Sequence, residues 1–134
     1  MNKLERRYAK FVERVKARYS FLKEVSIEVV DGLGITNYNP DADYIVVFVG
    51  QMRDRFNTPR YIRRAGFFNS FDRFILWTLL HEVYHAYQDR TIPLIKLRAA
   101  INEIIDDETH DASWVEKAAD RWANREIKKW RVQK

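Results

Sequence analysis

The 134-residue chain contains no cysteine, so disulfides and thiolate metal sites are excluded outright. Any metal must be held by histidine or carboxylate. Histidine is itself scarce, with only His81, His85 and His110. Four glycines and three prolines leave few turn signals, and no linker, repeat or low-complexity tract is visible. No apolar run reaches the length needed to span a bilayer. Met1 to Arg18 is charged throughout and lacks the apolar region of a secretory signal, so the expected location is the cytoplasm, with no membrane partner.

What is abundant is aromatic and charged. Four Trp, seven Tyr and eight Phe, within 46% hydrophobic residues, suffice for one real core. A single domain over 1–134 is expected. The formal net charge is +5, with basic stretches at 3–23, 53–64 and 121–134 and an acidic one at 103–111. Solvated helix faces are the favoured reading of these charges. Nucleic-acid contact through Arg53, Arg55, Arg60, Arg63 and Arg64, with Phe56 and Tyr61 interleaved, is the alternative.

Hydrophobic periodicity predicts an amphipathic helix over 3–20, with Leu4, Tyr8, Phe11, Val12, Val15 and Tyr19 on one face. Residues 24–31 alternate like a strand, and 44–49 reads as a strand covered on both faces. Residues 32–40 read as turn. Within 51–69, Arg60 to Arg64 reads as a short edge strand opened by Pro59. Helices are then expected over about 70–89, 94–104 and 113–131, with an acidic loop at 105–112. The class is α+β, with a small mixed sheet of two to four strands packed on helices.

His81-Glu82-Val83-Tyr84-His85 fits H-E-x-x-H inside the strongest helical pattern. Positions i and i+4 share a helix face, so two imidazoles can converge on one ion. Glu82 is turned by about 100° and is better placed to reach a water than the metal. A catalytic zinc site takes three protein ligands and leaves one position open. Glu116 is the leading candidate for the third ligand. Asp120 lies one turn on, beside Ala119 and Ala123, whose small side chains would let another helix approach closely. There it could steady a ligand imidazole by a hydrogen bond. Two alternatives stand open. Ser113-x-x-Glu116 also fits a capping box, in which Glu116 needs no metal. His110 could instead be the third ligand.

The two runs His81-Glu82-Val83-Tyr84-His85 and Glu116-Lys117-Ala118-Ala119-Asp120-Arg121-Trp122-Ala123 together resemble the gluzincin clan of zinc metallopeptidases. The size and element order look closest to minigluzincins. The second run is also similar to ImmA/IrrE-type peptidases, and SprT-like proteins are related in shape. The resemblance implies a small zincin-like domain: an N-terminal helix, a sheet, an active-site helix and a C-terminal glutamate helix. It implies one catalytic Zn2+ on His81, His85 and Glu116, with Asp120 supporting a histidine. It also implies hydrolysis of peptide or protein substrates by a zinc-activated water, with Glu82 as general base. His110, Tyr61 and Tyr87 are candidates to steady an oxyanion. Latent relatives would lay a terminal segment, here Lys128 to Lys134, over the cleft. An extended substrate would pair with an edge strand at 60–64 or 44–49. The competing readings are a DNA-associated or regulatory protein of similar shape and a non-catalytic zinc-binding module.

Overall fold

A computed structural model describes residues 1–131. The chain is α+β, with seven α-helices and one three-stranded mixed sheet among these residues. Helix α1 (Lys3–Arg18) begins at a capping box. Asn2 accepts from the Glu5 amide at 2.8 Å, and Glu5 accepts from the Asn2 amide at 3.1 Å. The expected apolar stripe is realised: Tyr8, Val12 and Val15 are buried, and Leu4, Phe11 and Tyr19 pack at the margin.

Strand β1 (Ser26–Val30) buries Ile27 and Val29 and exposes Glu28, following its alternation. Strand β3 (Tyr44–Phe48) buries Ile45, Val46 and Val47 in succession, because it lies in the middle of the sheet. The order is β1-β3-β2, with β1 parallel and β2 (Asn37–Asn39) antiparallel to β3. Sequence reading takes β2 for turn, since three residues containing two asparagines carry turn chemistry. Its tight return to β3 uses that chemistry: Asn39 Oδ1 accepts from the amides of Asp41 and Ala42 at 2.9 and 3.2 Å. Tyr38 then ties this edge to the central helix, donating to Asp43 at 2.8 Å or Asp89 at 3.2 Å.

The stretch 51–69 is where expectation and structure part most. Val49–Arg55 forms α2 and Pro59–Ala65 forms α3, so Arg60 to Arg64 is helical and not an edge strand. Pro59 sits at the first helical turn, where its missing N–H costs nothing. Gly66, at φ +81°, ends α3 in a backbone conformation that other residues rarely adopt. The acidic stretch is likewise helical: α6 (Asp107–Ala112) is opened by a capping box between Asp106 and Thr109.

Helix α4 (Phe71–Thr91) is capped by Ser70, whose hydroxyl accepts from the Arg73 amide at 3.1 Å. It is buried on nearly every side, as befits a central helix. The sheet lies against it on one side and α7 (Trp114–Glu126) on another. Ala119 and Ala123 are fully buried on α7 and permit this close approach. Helix α5 (Leu94–Asn102) packs on α7 through a separate small cluster of Leu97, Ala100 and Val115. The last expected helix stops at Glu126, followed by a 3-10 turn over Ile127–Lys129. Trp130 then packs on Tyr19 with Arg14 over its ring, and Lys128 to Arg131 do not line the cleft. The remainder of the segment proposed to cover it, 132–134, lies outside the described residues. Among the described residues, no helix is long and apolar enough to cross a membrane.

Asn124 joins three helices. It accepts from the Trp77 indole of α4 at 2.8 Å and donates to the Arg64 carbonyl of α3 at 3.0 Å. Asn124→Ala orphans both partners and should lower stability by about 1–3 kcal/mol, read as a shift in the urea unfolding midpoint.

Candidate metal centre

The site forms where α4 meets the first turn of α7. Helix geometry brings His81 and His85 together, with ring centroids 4.7 Å apart and Nε2 atoms 3.1 Å apart. Glu116 enters from α7. Its Oε2 lies 2.7 Å from His85 Nε2, and its Oε1 lies 3.1 Å from His81 Nε2. The ligand atoms of His81, His85 and Glu116 all fall within 4.8 Å of one another. The capping-box alternative for Glu116 is not realised: Ser113 makes no side-chain cap, and its hydroxyl is buried without a partner.

The outer nitrogens explain which way the lone pairs face. His81 Nδ1 lies 2.8 Å from Asp120 Oδ1, a short contact whose angle is not that of a straight hydrogen bond. His85 Nδ1 lies 2.8 Å from the amide oxygen of Gln88, whose own NH2 donates to the Val115 carbonyl at 3.0 Å. That second bond fixes the amide with its oxygen towards His85. Both Nδ1 atoms thus face acceptors and are suited to carry the proton. Two Nε2 lone pairs and a carboxylate then converge on one point. Such a group repels itself unless positive charge sits there, as a proton or a metal cation.

Charge points the same way. Glu82, Glu116 and Asp120 are buried carboxylates. Against them stands the guanidinium of Arg64, with its side chain 8% exposed. With the imidazoles neutral, as metal ligands must be, this leaves two negative charges, which a divalent cation would balance. The donor set is two nitrogens and one oxygen without sulfur, which suits zinc and admits cobalt or manganese.

Around this core, His110 reaches in from α6, with Nε2 3.0 Å from Glu116 Oε1 and Nδ1 2.8 Å from Asp111. It stands beside the three-residue group and not within it. Asp111 is held in turn by Arg60 at 2.8 and 2.9 Å. Tyr61 is buried in the cleft wall, its hydroxyl accepting from Arg55 at 2.7 Å. Tyr87 is misplaced by sequence reading. It lies outside the cleft, 43% exposed, against Phe21 and Tyr84, because it projects from a different face of α4 than His81 and His85.

Two residues escaped sequence reading. Gln88 follows His85 by three on the same face, a buried amide in an apolar helix, so its signal was present. Arg64 was hidden in a basic run read as a surface strand. It grips Asp120 through two bonds of 2.9 and 3.0 Å. That run is also no free cationic face. Arg53 stacks over Phe71 and Arg55 bonds Tyr61, while Arg60 and Arg64 hold Asp111 and Asp120. Four of the five arginines proposed to track phosphates are thus engaged within the fold.

The site opens into a cleft of about 270 Å3. Edge strand β2 lines it through Asn37 and Tyr38, with Thr36 and Pro40 alongside, and Ile101 and Ile104 face it from the α5 side. Strand β3 is central in the sheet and α3 is helical, so neither can receive an added strand. The edge strands are β1 and β2, and β2 is the one that lines the cleft.

Protonation follows from burial and partners. Burial lowers the His81 pKa, but the carboxylates of Asp120 and Glu116, which accept from its ring, outweigh it and raise it to about 10. Burial raises Glu116 and Asp120. The charge of His85 and bonds to the histidines outweigh it for Glu116, as bonds to His81 and Arg64 do for Asp120, so both lie below the usual carboxylate range. The raised His81 contributes stability that is complete below its unfolded value near 6.5 and is lost as pH rises through about 10. The depressed carboxylates contribute stability present above about pH 4 and lost on acidification. Chelator-treated protein should therefore melt highest between about pH 5 and 6.5 and lose stability on both sides. His81→Gln should flatten the alkaline limb of the melting profile.

No family model matches the chain, and neither a curated protein nor a solved structure is significantly similar to it.

Proposed function

We propose that this protein is a zinc-dependent peptidase of the zincin type, with His81, His85 and Glu116 as ligands. The observation that supports this reading is the meeting of two Nε2 atoms and one carboxylate at the wall of a cleft, with each outer imidazole nitrogen facing an acceptor. A zinc ion bound there would supply Lewis acidity towards a water and towards a scissile carbonyl.

The remaining chemistry belongs to the chain. Glu82 lines the cleft next to His81 and is the general base, accepting a proton from the attacking water and passing it to the leaving amine. His110 faces the same cleft. Its Nε2 lies 3.0 Å from Glu116 Oε1 at the centre, placed to donate to the oxygen that gains charge. Tyr61, whose oxygen already accepts from Arg55, has its hydroxyl hydrogen left to give and is the second such donor. Asp120 and Gln88 orient the imidazoles. An extended peptide would add to the free edge of β2, held by main-chain hydrogen bonds.

Glu82→Gln should keep its zinc and cut a peptide library about 100- to 10,000-fold more slowly. His81→Ala should lose both zinc and cleavage. Cleavage by Glu82→Gln at the parental rate would remove the assigned base. Zinc affinity of Glu116→Gln and His110→Ala separates the two ligand assignments: the larger loss should fall on Glu116→Gln.

A further inference from the structure

Arg64 touches every carboxylate that touches a histidine of the site. Its Nε and Nη2 bind Asp120 at 2.9 and 3.0 Å, and Asp120 faces His81 Nδ1. Its Nη2 lies 3.9 Å from Glu116 Oε1, and its Nη1 lies 3.7 Å from the Asp111 oxygen that meets His110. The guanidinium is buried over the rings of Tyr61 and Trp77, at 4.7 and 5.8 Å from their centroids. Its backbone is also pinned, since the Arg64 carbonyl accepts from Asn124 at 3.0 Å. The residue is therefore held at both ends. A surface arginine would lose its charge contacts to solvent and to its own side-chain freedom. This one has neither escape.

We propose that Arg64 is a positioning residue of the centre: its two-pronged grip holds Asp120 against His81 and sets the ligand group in place before a cation arrives. The proposal rests on the reading of the centre as a metal site. A planar fork suits the task, because both oxygens of Asp120 are engaged and the carboxylate cannot rotate away from the imidazole. Lysine offers one point of attachment and would leave Asp120 free to turn. The permanent charge of arginine also offsets the buried carboxylates whether or not a cation is present.

The bland reading makes Arg64 a strut between α3 and α7 that affects folding alone. The two differ in a measurable way. Zinc affinity, by competition with a chromophoric chelator, is compared for the parent, Arg64→Lys, Asp120→Asn and the double variant, with melting curves of the stripped chains alongside. Arg64→Lys should weaken zinc binding about 10- to 100-fold, the range found when groups supporting a ligand histidine are altered. It should also shift the visible absorption of the Co2+-loaded chain. Because Arg64 acts through Asp120, adding Arg64→Lys to Asp120→Asn should weaken zinc little further. Arg64→Met keeps the apolar stem over Tyr61 and Trp77, and it serves with the same expected loss if the lysine variant does not fold. Parental zinc affinity and an unchanged Co2+ spectrum in a folded variant would overturn the proposal, as would a loss fully additive with Asp120→Asn. A parent chain that takes up neither zinc nor cobalt would overturn the metal reading itself, a result distinct from parental affinity in the variants.

Discussion

Two imidazoles and a carboxylate held face to face inside a protein repel one another unless a proton or a cation sits between them, and the fold is arranged to hold them there. Each is fixed from behind: His81 by Asp120, His85 by Gln88, and Glu116 by its place on a helix that cannot slide. That helix is locked against α4 by Ala119 and Ala123, where larger side chains would not fit. Much else in the structure follows from this constraint. The central helix is buried on most sides and delivers its histidines inward. The basic stretch folds as helix α3, and its last arginine meets Asp120.

The arrangement spreads charge over several layers. Glu116 and Asp120 lie behind and between the histidines, Arg64 lies behind both, and Asp111 with Arg60 extends the alternation to His110. Buried ion pairs of this kind are weak evidence for stability, since desolvation offsets most of their attraction. Their retention at one wall of a cleft fits a role in holding geometry. The cleft itself combines that polar wall with an unpaired strand edge and apolar residues from α5.

The parts of the fold legible in the sequence were those with strong periodicity. α1, β1, β3, α4 and α7 follow from spacing alone, because one face or all faces are apolar. β2 was illegible because a three-residue strand of turn formers is made by its pairing with β3 and by Tyr38, both of which are tertiary. α3 was misread because charge was taken as exposure, whereas Arg60 and Arg64 find carboxylates from distant α6 and α7. The centre was legible as far as helix spacing reaches. His81 and His85 share a face, and Glu116 and Asp120 share another. What spacing cannot carry is which outside groups back them, so Arg64 went unseen. Tyr87 is two residues from His85 in sequence, but it projects from another face of α4.

The proposed function needs one metal ion where α4 and α7 meet. Crystals grown with zinc and measured on both sides of the zinc absorption edge would reveal it. A single anomalous peak bonded to His81, His85 and Glu116 is expected. An anomalous map empty between these three residues, or a peak bonded to a different set, would contradict it.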